Sequence, residues 1–143
     1  MNRLRALALV ALAITACASS YHRAEPGDFA VSVTDDVMRR QFAVTFVSKA
    51  DRPLCISKES WPAEDGTFPL GWEGTVLSTS AGSLHPKAAL TAYCPGGCGE
   101  VRIDAGQQLK ASVAYSAFGD AEAIAADPQR SLAFPAYPYY CRR

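Results

Sequence analysis

The chain has 143 residues, and its 14 Lys and Arg residues balance 14 Asp and Glu residues, so the formal net charge at pH 7 is zero. It contains no run of lysine or arginine that could follow a phosphate backbone, which argues against a nucleic acid partner. The length suits one domain and is too short for two comfortable ones. We find no internal repeat and no low-complexity tract.

The first residues carry the features of an export signal. Arg3 and Arg5 make a positive amino-terminal region, and residues 6–14 continue an apolar run with no charge after Arg5. A helix that crosses a bilayer takes about 20 apolar residues, so this run is too short to span and has the length of a secretory signal. No second apolar segment follows, and the sequence therefore predicts no further membrane span.

The stretch Ile14-Thr15-Ala16-Cys17 resembles the lipobox of bacterial lipoproteins, and the likeness covers residues 1–17 only. In that family the cysteine thiol receives a diacylglycerol, and the leader is then cut off before it. The resemblance implies a signal peptide over residues 1–16 and a lipid on Cys17. The alternative is an ordinary secretory leader with an incidental cysteine at the cut.

The residues after Cys17 give information on the localisation of the protein. Residue 18 is alanine, whereas an aspartate there is associated with inner-membrane retention in enteric-type bacteria. The resemblance therefore implies an outer-membrane lipoprotein that faces the periplasm. We expect residues 17–26 to be the lipidated cysteine and a tether with a reach of at most about 30 Å. Residues 27–143 are expected to form a single, slightly acidic domain.

Alternating patterns predict strands through most of this domain. Apolar residues alternate with small or polar ones over 29–34 and 42–47, which places each set on one face of a strand. Residues 119–129 are acidic and alanine-rich, which favours one helical turn. Further strands are predicted over residues 54–57, 75–79, 90–94, 101–104, 109–115 and 131–140. About seven or eight short strands indicate an all-β, two-sheet antiparallel sandwich, of which the immunoglobulin-like fold is one form.

Four cysteines follow the anchor, namely Cys55, Cys94, Cys98 and Cys141. An even number in an oxidising compartment indicates two disulfides, and four cysteines allow three pairings. We favour Cys94–Cys98 with Cys55–Cys141, because the glycines between Cys94 and Cys98 can adopt the dihedrals that a small ring demands.

Two other roles for Cys94 and Cys98 are weaker. A thioredoxin-like redox motif has two residues between its cysteines and a helix after the first, whereas three residues in a glycine-rich turn stand here. A metal site could combine the two thiols with His85, since zinc permits this spacing, but the sequence offers no fourth ligand. The sequence therefore predicts no cofactor.

No pattern of a catalytic site stands out. There is no Gly-x-Ser-x-Gly elbow to place a nucleophile, and His85 precedes a proline in a loop flanked by glycine and serine. The paired carboxylates lie in turn-like contexts, where aspartate stabilises the turn itself. The alternative function, a hydrolase that acts on envelope material, would need a cleft that holds paired carboxylates or His85. Loss of activity in His85→Ala or Asp104→Asn would support it.

Two groups of aromatic residues are the best functional lead. The first lies in the irregular segment 58–74, and the second lies near the carboxyl terminus. Exposed tyrosine and tryptophan are typical anchors of interfaces, and the alternative is that these rings fill the core. The candidate partner-binding residues are Trp61, Trp72, Tyr137, Tyr139 and Tyr140. The sequence thus favours a membrane-anchored, non-enzymatic module that binds a protein or another envelope component.

The expected disulfides differ in their effect on stability. By loop-closure entropy, the long Cys55–Cys141 loop contributes roughly 4.5 kcal/mol to the free energy of unfolding and the Cys94–Cys98 ring roughly 2 kcal/mol. Thermal melts should therefore show a larger loss of stability for Cys141→Ser than for Cys94→Ser. The reverse order would contradict this pairing.

Overall fold

The computed structural model describes residues 22–68, 74–89 and 97–142, in which most of the regular structure is strand. The strands are β1 (Phe29–Asp36), β2 (Gln41–Ser48), β3 (Leu54–Ser57), β4 (Val76–Thr79), β5 (Gly82–Leu84), β6 (Glu100–Ile103), β7 (Gln108–Ala114), β8 (Ser131–Ala133) and β9 (Tyr139–Tyr140). One short helix, α1, covers Ala121–Ala126. The predicted all-β class is confirmed. No helix of the described ranges is long and apolar enough to cross a membrane.

The strands form three antiparallel sheets of three strands each, with the orders β1-β2-β7, β6-β3-β9 and β5-β4-β8. The sequence predicted two sheets, and the structure differs because most strands are short and the turns between them redirect the chain. The turn in which Gln107 N donates to Asp104 O (3.0 Å) carries the chain from β6 in one sheet to β7 in another.

The core is built on the inner face of β2. Phe42, Val44 and Phe46 point to this face and are 1%, 1% and 0% exposed, as the period-two pattern predicted. The ring of Phe29 on β1 stacks on Phe46 at 5.4 Å between centroids, and Val113 on β7 lies opposite Phe42. One face of this sheet is therefore buried.

Aromatic rings join this sheet to the rest of the core. Trp61 meets Phe46 edge-on at 6.4 Å and Phe134 edge-on at 5.6 Å between ring centroids. Phe134 also contacts Phe68 at 6.2 Å. The irregular segment after β3 thus supplies core residues, and Trp61, predicted as a candidate partner-binding residue, is only 6% exposed.

The Cys55–Cys141 disulfide is present and closes a sequence separation of 86 residues, which confirms this half of the predicted pairing. Cys55 lies on β3 and is 1% exposed. It is the one complete disulfide within the described ranges. Cys98 is also disulfide-bonded, but Cys94 lies outside the described residues, so the Cys94–Cys98 pairing stays a prediction.

Both ends of the described chain meet at one end of the domain. Tyr140 N donates to His22 O (2.9 Å), and Ala24 N donates to Pro138 O (3.0 Å). Residues 22–24, predicted as tether, are thus hydrogen bonded to the domain, which begins earlier than residue 27. We call this end, residues 22–28 and 138–142, the terminal pole. From it β1 runs about 23 Å to the hairpin pole, the connection Val37–Arg40 between β1 and β2.

Candidate functional site

A groove of about 900 Å³ opens beside β7, an edge strand of the sheet β1-β2-β7. Ala43 and Thr45 on β2 and Ser112 on β7 contribute to its lining. The segment Trp61–Glu64 also lines it, and we call this segment the wall. Asp36 and Arg39 lie at the hairpin-pole end of the same groove. Its lining therefore combines small strand residues with charged side chains at the rim.

Small residues on the outer face of the sheet leave room for the groove. The register pairs Ala43 with Ser112 and Thr45 with Lys110. Because side chains alternate along a strand, the face opposite the buried Phe42 and its neighbours carries these residues. Phe42, Val44 and Phe46 fill one face of β2, whereas Ala43 and Thr45 on the other face are small residues that line the groove.

Gly66 fixes the place where the wall meets β7. Ala114 N donates to Gly66 O at 3.0 Å. Gly66 has a φ of +79°, and a Cβ there would lie 2.8 Å from Ala114 N, so a larger residue would have to push the two backbones apart. The close approach brings the segment Trp61–Gly66 against the hairpin-pole end of β7.

A turn next to Gly66 stiffens the wall. Asp65 Oδ1 accepts hydrogen bonds from Thr67 N (3.0 Å) and Thr67 Oγ1 (2.7 Å). The side-chain hydrogen bond lowers the pKa of Asp65 below its ordinary value of 3.8, with the backbone bond as the second cause. The contribution of this turn to stability is thus present above the unfolded pKa and is lost as pH falls through the folded value.

The charges around the groove are only partly paired. Arg39 lies 3.5 Å from Asp36 in an exposed ion pair. Lys58 and Lys110 also line the groove, and neither is within 4.0 Å of a carboxylate in the described part of the chain. Glu64 is the remaining carboxylate of the lining. Among the described residues of the lining, Lys58 and Lys110 lack an ion-pair partner, and Glu64 is the one carboxylate that also lacks one. The unpaired positive charges thus outnumber the unpaired negative charge.

A second polar cluster lies inside the hairpin-pole end of the domain. Tyr115 is fully buried, its hydroxyl donates to Asp35, and Arg130 Nε donates to the same hydroxyl at 2.9 Å. Arg130 Nε also lies 2.8 Å from Asp35 Oδ2. A terminal nitrogen of Arg130 donates to the carbonyl oxygens of Ala125 and Asp127. The cluster thus joins β1, the residues after β7 and the end of α1.

The electrostatics of this cluster favour a neutral tyrosine beside an ion pair. Burial raises the pKa of Tyr115, and its hydrogen bond to Asp35 raises it further. Burial is the largest single effect on Arg130 and lowers its pKa. The contacts of Arg130 with Tyr115 and Asp35 together outweigh burial, so the pKa is raised. None of the three side chains lines the groove, so we interpret the cluster as structural.

The predicted aromatic residues do not form one surface. Trp61 belongs to the core and reaches the groove only as part of its wall. The Tyr139 hydroxyl donates to Glu100 (2.6 Å), and the Tyr140 hydroxyl donates to Asp28. Tyr137 is 47% exposed at the terminal pole. Trp72 lies outside the described residues, as does Cys17.

The residues of the alternative functions lie apart from the groove. His85 is exposed after β5, and Asp104 is exposed in the turn after β6, where its carboxylate pairs with Arg102 at 3.0 Å. Neither lines the groove. Within the described ranges, no group of three or more His, Cys, Asp or Glu side chains is placed to hold a metal ion. Cys94 is not described, so the set with Cys98 and His85 stays untested.

Sequence reasoning missed both the groove and the Asp35 cluster. The small outward residues Ala43 and Ser112 were a signal for the groove, but their pairing across two strands was not visible in the pattern. Comparisons with known protein families, curated proteins and solved structures find no match to this chain.

The buried cluster predicts a large difference between two arginines. Arg130→Met should lower the free energy of unfolding by about 2–3 kcal/mol, because it leaves Asp35 and two carbonyl oxygens without their charged donor. Arg39→Met, which breaks an exposed pair, should change it by less than about 0.5 kcal/mol. Urea unfolding measures both. Equal losses would contradict the structural role of Arg130.

Proposed function

We propose that this protein is a lipid-anchored, non-enzymatic binding module of the bacterial cell envelope, and that the groove beside β7 receives a protein partner. The observation that carries the proposal is the groove itself. Its volume of about 900 Å³ lies within the range of ligand-binding clefts. It is open along a strand edge and has a charged rim around small and apolar residues, which suits a polypeptide.

The geometry of the two poles supports an anchored orientation. Five residue steps separate Cys17 from His22, which pairs with Tyr140 at the terminal pole, and they reach at most about 18 Å. A lipid on Cys17 would therefore keep the terminal pole near the membrane. The hairpin pole, where Met38 is 94% exposed, would point away from the membrane towards partners in the periplasm.

The proposal extends to a second disulfide, to the outer membrane and to the arrangement of the three sheets. Cys98 is disulfide-bonded, which supports the expected pairing with Cys94, and a disulfide-braced domain suits the oxidising periplasm. The outer membrane follows from Ala18 by resemblance, and an immunoglobulin-like topology would accommodate the three sheets as parts of one sandwich.

The anchor is tested by removing the thiol. Cys17→Ser should abolish metabolic labelling with palmitate and release the protein from the membrane fraction, because no other lipid site is expected. Cys94→Ser, the matched control, should keep both the label and the membrane fractionation. A Cys17→Ser protein that is still labelled would contradict lipidation at this residue.

The groove is tested by photo-crosslinking in the cell that makes the protein. A photoreactive residue in place of Ala43, which is exposed and lines the groove, should yield one discrete crosslinked protein. The same residue in place of Ala133, exposed on β8 of another sheet, should not. Equal products at both positions, or none at Ala43, would count against a partner in the groove.

A further inference from the structure

The hydrogen bonds of β7 show which of its backbone groups face away from the sheet. Ser48 N donates to Gln107 O (3.0 Å), and Tyr115 N donates to Arg40 O (2.9 Å). Both bonds lie in the register that pairs β2 with β7. In an antiparallel pair the hydrogen-bonded residues alternate, so the odd-numbered residues of β7 bond to β2 and the even-numbered residues face outwards.

Within the described part of the chain, the outward groups of β7 are unpaired along most of the strand. Ala114 N–H, at the hairpin-pole end, donates to Gly66 O. From there the wall leaves the strand, and Gln108, Lys110 and Ser112 have no backbone hydrogen-bond partner on this edge within the described residues. Lys110 and Ser112 both line the groove. As far as residues 22–68, 74–89 and 97–142 are concerned, the groove therefore has a row of free N–H and C=O groups along one side.

The spacing of the outward N–H and C=O groups of β7 determines which kind of ligand can bind there. Donors and acceptors that repeat every second residue match the backbone of another extended chain, which is how strands are added to sheet edges. The free edge covers five residues, from Gln108 to Ser112, and pairs with a strand of about five or six residues. The groove then accommodates the side chains of that strand between the edge and the wall.

The charged side chains of the groove favour one sign of charge on the ligand. Lys110 is exposed beside the free edge, and Lys58 lines the groove with it. Neither lysine has a carboxylate partner within 4.0 Å among the described residues. An opposite charge directly across a strand pair is stabilising and a like charge is destabilising. The arrangement thus favours carboxylates on the incoming strand.

We propose that an extended, acidic segment of a partner protein adds to β7 as a fourth, antiparallel strand of the sheet β1-β2-β7. This inference rests on the proposed binding function and names the partner's chemistry and mode of docking. A second copy of the chain fits less well, because antiparallel pairing of the three free residues would set Lys110 opposite Lys110.

The other edge of the sheet provides an internal comparison. Lys49 N donates to Asp28 O (2.7 Å) in the β1–β2 register, so the odd-numbered residues of β1, including Val31 and Val33, face outwards. No residue from 29 to 35 lines the groove. Among the described residues, the edge of β1 thus also has free backbone groups, but it lies beside neither the groove nor its lysines.

The experiment uses the full-length protein labelled with ¹⁵N and the capped peptide Thr-Glu-Val-Glu-Val-Thr. We expect saturable binding at or below roughly 1 mM, with slower hydrogen exchange at the amides of Lys110 and Ser112 and unchanged exchange at Val31 and Val33. The peptide with lysine in place of glutamate should bind several-fold more weakly, and so should the acidic peptide to Lys110→Glu. Binding to Lys49→Glu, a cation outside the groove, should be unchanged.

Backbone methylation separates strand addition from simple charge attraction. N-methylation of both glutamates removes the two donors that face β7, and at roughly fivefold per hydrogen bond it should weaken binding about 25-fold. N-methylation of both valines blocks the opposite edge of the peptide and should have an effect below about twofold on the same scale. Equal sensitivity to the two modifications would overturn the proposal.

The remaining outcomes are equally decisive. No binding at 1 mM, protection at Val31 and Val33 instead, or protection that grows with protein concentration without peptide would each overturn docking of an acidic strand on β7. A crosslink at Ala43 together with one of these outcomes would keep the binding function and reject only this mode. Failure of both experiments would reject the binding function as well.

Discussion

The one-sided burial of β2 is the constraint on which the rest of the structure depends. Phe42, Val44 and Phe46 all point to one face and are almost fully excluded from solvent. A slip of one residue would move all three side chains to the solvent face. This register is therefore strongly specified, and it sets the positions of β1 and β7 on either side through their pairing with β2.

The same constraint produces the candidate site. Because one face of β2 carries the rings, the other face can carry small residues such as Ala43, and the sheet has an outer surface with room above it. The wall reaches this surface through Trp61, which is held by aromatic contacts in the core, and through Gly66, which touches Ala114. The groove is thus a consequence of core packing, with Lys58 and Lys110 left at its rim.

The two ends of the described part of the chain are held to the domain by a disulfide and by backbone hydrogen bonds. Cys141 is bonded to Cys55 on β3, and the backbone of His22 accepts from Tyr140 nearby. Both ends of the described part, which begins at His22, therefore meet at the terminal pole, and the Asp35 cluster stabilises the opposite pole. The lipid anchor proposed at Cys17 would leave the groove and the hairpin pole free, as a tethered binding module requires.

The sequence by itself determined the all-β class and the positions of β1, β2, β3 and β7, because alternation is a local property. Cysteine parity indicated disulfides, and the tertiary structure decided that Cys55 pairs with Cys141. It missed β5, which has only three residues and begins with a glycine, and the number of sheets. The contact between Asp35 and Tyr115 joins residues 80 positions apart. Only the tertiary structure decided this cluster and the groove, because both depend on which strands become neighbours, and no periodicity within a strand records that choice.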